Sequence, residues 1–355
     1  MTTEPVRLSE QPLGRLEARF GSEGGRLVDG VAFAFDPALE QPAVWGVGEE
    51  VLWSPAEPLL LVGPDGVGKT TLAQRLALAR VGVGGELLGY PVRPATSKVL
   101  YVAADRPAQG GRSLRRMLLG LSDDDDFARV ESRLLVWKGP LPFDLVRDPG
   151  RLAPWVASHE ASDVFLDSLG LIVPALTKDE VGAAVAQAFS LCSASGIEVV
   201  APFHPRKATS DNRKPNKLED VYGSRWLTSV SGSVLLLWGQ AGDPIVELRH
   251  LKQPSEPVGP FMVEIDHRAG GVSVAEGSDL LAVLRAVTNG LSAKEAGLHM
   301  EGENEKSREK KAYRKLEGYV SKGLAYRREG AQIRGSIHEP DRYYATGTAT
   351  GTDPG

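Results

Sequence analysis

The sequence predicts an α/β fold, a mostly parallel sheet flanked by helices, followed by a small C-terminal helical domain. Three observations carry this expectation. Apolar runs such as LLLV at 59–62, VLYVA at 99–103 and VFL at 164–166 recur through the middle of the chain, separated by text of helical periodicity. Strands without polar alternation are buried on both faces, as in parallel sheets sandwiched between helices. A Gly/Ser/Ala-rich break, HRAGGVSVAEGS at 267–278, then precedes a shorter segment of different, highly charged composition.

The elements follow in order. Residues 1–50 are mixed in character and read as an N-terminal arm or edge extension, with VAFAFDP at 31–37 as its one short alternating segment. Residues 51–268 carry the sheet: strands at 59–62, 97–105, 132–139, 163–167 and 197–203, with helices after 68, from after 105 through GRSLRRMLLG at 111–120, around 150–160 and over 179–194. The runs at 232–239, 244–252 and 261–266 read as hairpin strands extending that sheet. Residues 269–277 form a linker and 278–340 a winged helix-turn-helix domain: three short helices and a two-stranded wing. Ser292 and Glu295 have the spacing of a capping box within it. Residues 341–355 read as a flexible tail.

With 355 residues, of which 42% are hydrophobic, the chain has material for one large domain and a small one. A formal charge of −5 excludes a protein whose whole surface coats nucleic acid and leaves room for a local basic segment. Cys192 is the single cysteine and lies in an apolar helical pattern, so a buried structural thiol is expected. The opening MTTEPVRLSEQPLG has no apolar core of signal-peptide type, and no run approaches a membrane span; a soluble, cytoplasmic protein without membrane contact is expected.

The chemistry concentrates in GPDGVGKTT at 63–71. Gly63, Gly68, Lys69 and Thr70 satisfy the G-x-x-x-x-G-K-T spacing, between an apolar strand and an amphipathic helix. In that context the backbone N–H groups of Gly63, Pro64, Asp65, Gly66, Val67, Gly68, Lys69, Thr70 and Thr71, proline excepted, wrap phosphates. Lys69 reaches the outer phosphates and the Thr70 hydroxyl takes a place on Mg2+, so ATP and Mg2+ are the expected cofactors. Asp167, ending VFLD, is the natural second metal partner because parallel strands end on one edge; the bland alternative makes it a cap of the following helix. Asp105 is the candidate to orient or deprotonate the attacking water, or else it pairs with Arg106 or caps the next helix. His204 is placed to sense the outer phosphate, or is a surface histidine.

The ordered set of P-loop, VLYVAAD, VFLD, APFHPRK and late strands resembles the RecA-like ATPases, and more closely the plasmid RepA-type and DnaB-type hexameric replicative helicases. The resemblance covers about residues 45–266. It implies a RecA-like core, a homo-hexamer, hydrolysis of ATP and translocation on single-stranded DNA. It places Asp105 where the family commonly has its catalytic glutamate, a shorter side chain, and His204 where the family senses phosphate. It also implies a central DNA-binding loop at HPRKATSDNRKPNK. There Arg206, Lys207, Arg213, Lys214 and Lys217 crowd together with only Asp211 opposing them, which suits contacts to phosphates regardless of base sequence; a solvated linker has the same composition.

A ring ATPase needs a cation delivered to the neighbouring subunit's nucleotide, and Arg225 and Lys252 are the candidates. Lys252 matches the family's late lysine, while Pro254 stands where a partner arginine is usual. The basic residues at 306–315 and 327–328, interleaved with glutamates, suit either nucleic acid or a solvated face. The expected role is an ATP-dependent DNA helicase or translocase in plasmid or phage-type replication, contacting an initiator, loader or primase through the N-terminal arm or the C-terminal domain. The alternatives are an ATPase that loads or remodels a partner on DNA without unwinding, and a non-enzymatic ATP-binding switch.

Overall fold

The computed structural model describes residues 28–36, 41–204, 218, 225–256, 258–275, 280, 283–284, 287, 289–298, 300, 304–321, 325–330, 332–334 and 337–346. The chain divides into two units, residues 1–42 and 43–355. In the first, α1 (Gly30–Ala34) is a helix where a strand or arm is expected. Asp29 Oδ1 accepts the N–H groups of Val31 and Ala32 at 2.9 and 3.0 Å, and this N-cap outweighs a short alternating pattern.

The second unit opens with the hairpin β1 (Trp45–Val47) and β2 (Glu50–Trp53). Trp45 and Trp53 are fully buried in the main core, so the division expected near residue 50 runs through a hairpin. The chain continues as β3 (Leu59–Val62), α2 (Lys69–Arg80), the small hairpin β4 (Glu86–Leu87) and β5 (Tyr90–Pro91), then β6 (Lys98–Ala103). Next come α3 (Pro107–Leu118), α4 (Asp124–Arg133), β7 (Leu134–Lys138), α5 (Leu152–Ser158) and β8 (Ala161–Asp167). Then follow α6 (Leu169–Ile172), α7 (Asp179–Ala194), β9 (Glu198–Phe203), α8 (Arg225–Val230) and the strands β10 (Ser233–Trp238), β11 (Ile245–Lys252), β12 (Phe261–Asp266) and β13 (Gly271–Val274).

Nine of these strands form one sheet in the order β13-β12-β11-β10-β3-β9-β8-β6-β7. The six from β10 to β7 run parallel, with β3 well inside the sheet. Residues of β3 alternate between two cores: Leu59 and Leu61 pack with α2, Leu60 and Val62 with α5 and α7. This doubly covered α/β core agrees with the expected fold class. Two expectations are corrected. β10 is a parallel strand beside β3 and also the hairpin partner of β11, so only β11–β13 extend the sheet antiparallel. Residues 271–274, placed in a linker, are the edge strand β13.

In the C-terminal part, α9 (Ala293–Gly297) carries the expected capping box: Ser292 Oγ accepts the Glu295 N–H at 3.2 Å, and Glu295 Oε2 accepts the Ser292 N–H at 2.8 Å. The charged helix α10 (Glu305–Ser321) follows, then β14 (Ala325–Arg328), β15 (Gln332–Arg334), β16 (Ile337–His338) and β17 (Arg342–Ala345). β14 pairs with β17 and β15 with β16. Residues 342–345 are therefore no tail: Tyr343 is 1% exposed, packs with Leu291, Leu316 and Ala325, and donates its hydroxyl to Glu317 at 2.7 Å.

Candidate phosphate and metal site

Because β3, β6, β8 and β9 are parallel, their C-terminal ends share one edge of the sheet, where a ligand site of an open α/β sheet forms. The loop after β3 is shaped by close backbone approach. A Cβ at Gly63 would meet the Leu237 carbonyl oxygen at 2.3 Å, and Gly68, the N-cap of α2, has φ +91°, a conformation costly for other residues. Lys69 starts α2 and is buried.

Lys69 Nζ folds back over the loop. It donates to the carbonyls of Gly63 at 2.7 Å and Pro64 at 2.5 Å and lies 3.1 Å from His204 Nδ1. Burial pulls its pKa down to about 8, against the raising effect of Asp65 and Asp167. His204, just past β9, has the same Nδ1 2.7 Å from Asp65 Oδ1. One nitrogen cannot accept from Lys69 and donate to Asp65 in one protonation state. Burial first, and Lys69 second, lower the His204 pKa, which favours the neutral ring that accepts from Lys69.

Asp167 ends β8, 7% exposed. Its Oδ1 accepts from Thr70 Oγ1 at 3.3 Å and its Oδ2 from the Tyr101 hydroxyl at 2.6 Å. Burial raises its pKa, while the bonds from Tyr101 and Thr70 and the Lys69 charge oppose the rise. The sequence expectation thus meets a compact arrangement of Lys69, Thr70, Asp167 and His204. The donor set fits Mg2+: a hard carboxylate and a hydroxyl side by side next to the phosphate loop. Among the described residues no three His, Cys, Asp or Glu side chains cluster as a metal cage.

Other expected residues take no part in this side-chain hydrogen-bond cluster. Asp105 borders it, with its N–H donating to the Asp167 carbonyl at 3.4 Å and its charge raising the Asp167 pKa, while its carboxylate takes a hydrogen bond from Arg106 Nε at 3.2 Å. Lys252, expected to reach a neighbouring subunit, instead donates to the carbonyls of Thr228, Ser229 and Ser231 at 2.8, 3.3 and 2.5 Å, capping the C-terminal end of α8. Arg225 stands exposed at the first turn of the same helix. Arg206, Lys207, Arg213, Lys214 and Lys217 lie outside the described residues. Tyr101 escapes a reading of the sequence, since a tyrosine in an apolar strand passes for core; the one available signal is that a buried phenol needs an acceptor.

Cys192 is a buried thiol, its pKa pushed up to about 12 by burial, as expected of a structural residue. No helix among the described residues is long and apolar enough to cross a membrane.

Comparison with known proteins agrees with the P-loop reading. No curated protein matches the chain. A solved structure of an isolated ATPase domain is similar over 62% of this chain and 85% of that one, with a TM-score of 0.46 and 14% identity. The family model described as "AAA domain" matches residues 26–210, from before the phosphate loop to beyond His204. That is 185 of 355 residues, just over half of the chain. The protein, a P-loop ATPase built on a doubly covered α/β sheet, belongs to the AAA domain family.

Proposed function

We propose that this chain is an ATP-hydrolysing ring motor, a hexameric DNA helicase or single-stranded DNA translocase of plasmid or phage-type replication. The observation that supports it best is the convergence of Lys69 and Thr70 at the start of α2, Asp167 at the end of β8 and His204 after β9 onto one sheet edge. In this reading the loop from Gly63 to Thr71 cradles the phosphates of ATP, and Lys69 leaves the Gly63 and Pro64 carbonyls for the outer phosphates. Thr70 and Asp167 hold Mg2+, which neutralises phosphate charge when bound. Asp105 orients the attacking water, and its present pairing with Arg106 is a surface ion pair that yields at small cost.

His204 exchanges partners as Lys69 moves, and so reports the nucleotide to the basic loop that begins two residues later. Arg225 supplies the cation to the next subunit's nucleotide, and Lys252 fixes the helix that bears it. Arg206, Lys207, Arg213, Lys214 and Lys217 grip DNA phosphates. The C-terminal part, with α9 and α10 against two-stranded ladders, acts as a winged helix-turn-helix that recruits DNA or a replication partner. The Asp105–Arg106 pair favours, as a second reading, a non-enzymatic ATP-binding switch.

ATP turnover and strand displacement, measured together with and without single-stranded DNA, test the proposal. DNA-stimulated turnover and unwinding are expected, with turnover lost in Lys69→Ala. Turnover without displacement selects the loader reading; binding without turnover selects the switch.

A further inference from the structure

Tyr101 is buried on β6, four residues before Asp105, in a strand parallel to β8. The register pairs Tyr101 with Phe165 and Ala103 with Asp167, so the phenol lies on the same sheet face as Asp167, one diagonal step away. Its ring stacks on Phe165 with centroids 5.8 Å apart and planes 19° apart. Tyr101 is 4% exposed in the main core and also lines an apolar cavity of about 300 Å³ with residues of α2, α3 and β7. Core packing and the Phe165 stack place the ring, and its hydroxyl makes the 2.6 Å bond to Asp167 Oδ2.

A carboxylate turns easily about its last torsion, whose wells are broad. Short O–H···O⁻ bonds restrict it without neutralising its charge. At Asp167 the two oxygens are held unequally: Tyr101 makes a short bond to Oδ2 at 2.6 Å, and Thr70 a long one to Oδ1 at 3.3 Å. Thr70 belongs to the phosphate loop itself, whereas Tyr101 has no phosphate-facing task. We propose that Tyr101 is a positioning residue: its hydroxyl holds Oδ2 so that Oδ1 faces Thr70, and this sets how tightly the site takes its divalent cation. The inference rests on the reading of Asp167 as the metal carboxylate.

The test is Tyr101→Phe in the full chain, which deletes one oxygen and keeps the ring stack. Mn2+ binding is followed by electron paramagnetic resonance beside a non-hydrolysable ATP analogue. Mn2+ affinity should fall about fivefold, the loss expected for one hydrogen bond, while analogue affinity in chelator stays at the wild-type value. In turnover, the Mg2+ concentration for half-maximal rate should rise by a similar factor and the rate at saturating Mg2+ change less than twofold. Phe165→Leu, which disturbs the stack and keeps the hydroxyl, should lower the unfolding temperature and reduce Mn2+ affinity by less than Tyr101→Phe does. If Tyr101→Phe does not fold, 3-fluorotyrosine at position 101 substitutes: a stronger donor of nearly the same shape should tighten Mn2+ binding.

Unchanged Mn2+ affinity in folded Tyr101→Phe, or in the fluorotyrosine protein, overturns the assignment. So does an equal loss of analogue binding in chelator. Asp167→Asn separates the two claims: if it binds Mn2+ as the wild type does, the metal reading itself fails. If it loses Mn2+ while Tyr101→Phe does not, only the role of Tyr101 falls.

Discussion

Asp163 and Asp167 lie on the same strand, four residues apart, and meet opposite fates. Asp163, near the start of β8, is fully buried against Arg80, with guanidinium contacts at 2.6 and 3.0 Å. Arg80 also stacks over Trp53 and donates to the Arg93 carbonyl. Asp167, at the strand's other end, is held by two neutral hydroxyls. A carboxylate matched by a buried guanidinium has its charge spent on the fold. One restrained by hydroxyls keeps its charge for an incoming cation. The difference separates a structural edge of the sheet from a working one.

The largest stability effect should come from the structural edge. Arg80→Met strands the Asp163 charge and should cost about 3–5 kcal/mol, read by denaturant unfolding. Adding Asp163→Asn should recover a substantial part of that loss. If Arg80→Met unfolds like the wild type, the structural side of the comparison breaks.

A smaller effect sharpens the same edge. Glu198, at the start of β9, accepts the Ala56 N–H, and burial raises its pKa to about 7 from an ordinary 4.5. The folded state therefore binds more protons than the unfolded state between those values. Its contribution is present in acid and is lost as pH rises toward 7. Glu198→Gln keeps an acceptor for Ala56 and should flatten the fall in stability across that window, with a gain on the order of 2 kcal/mol above it. A wild-type slope in the variant would remove Glu198 from the cluster's balance.

Asp105 and Arg225 give the smallest shifts on the working edge. Asp105→Asn should leave nucleotide affinity intact and slow turnover roughly tenfold or more, as for a positioned base. Arg225→Ala should likewise lower turnover more than binding, and a mixture with Lys69→Ala should regain activity only in mixed rings. Recovery without mixed assembly, or none with it, separates a role within the subunit from one across an interface.

Local signals make much of this legible. Helix 179–194 is readable to its ends because Asp179 and Glu180 sit at its first turn and Gly196 follows its last. The parallel strands are readable as apolar runs, and the phosphate loop as a spacing that close backbone approach requires. What escapes is non-local. The position of β10 beside β3 depends on chain crossover, which apolar content does not encode. β13 (GVSV) and β17 (RYYA) are four residues each, too short for their pattern to stand out, and pair with the edges that β12 and β14 offer. α4 is missed because SDDDDFARVESR opens on four aspartates, of which Asp123 proves to be the cap, accepting the Asp125 N–H at 2.9 Å. Tyr101 and Lys252 acquire their partners only through strand register and sheet packing.

The most direct test of the division is to measure unfolding and Mg2+-dependent ATP turnover side by side in Asp167→Asn and Asp163→Asn. Asp167→Asn should lose at least about a hundredfold in turnover, as for removal of a charge that stabilises the transition state, while unfolding within a few degrees of the wild type. Asp163→Asn should lose stability, and its folded fraction should turn over ATP at a rate close to the wild type's. Near-normal turnover in folded Asp167→Asn, or turnover lost equally in both variants, would contradict the assignment of one carboxylate to the fold and the other to the metal.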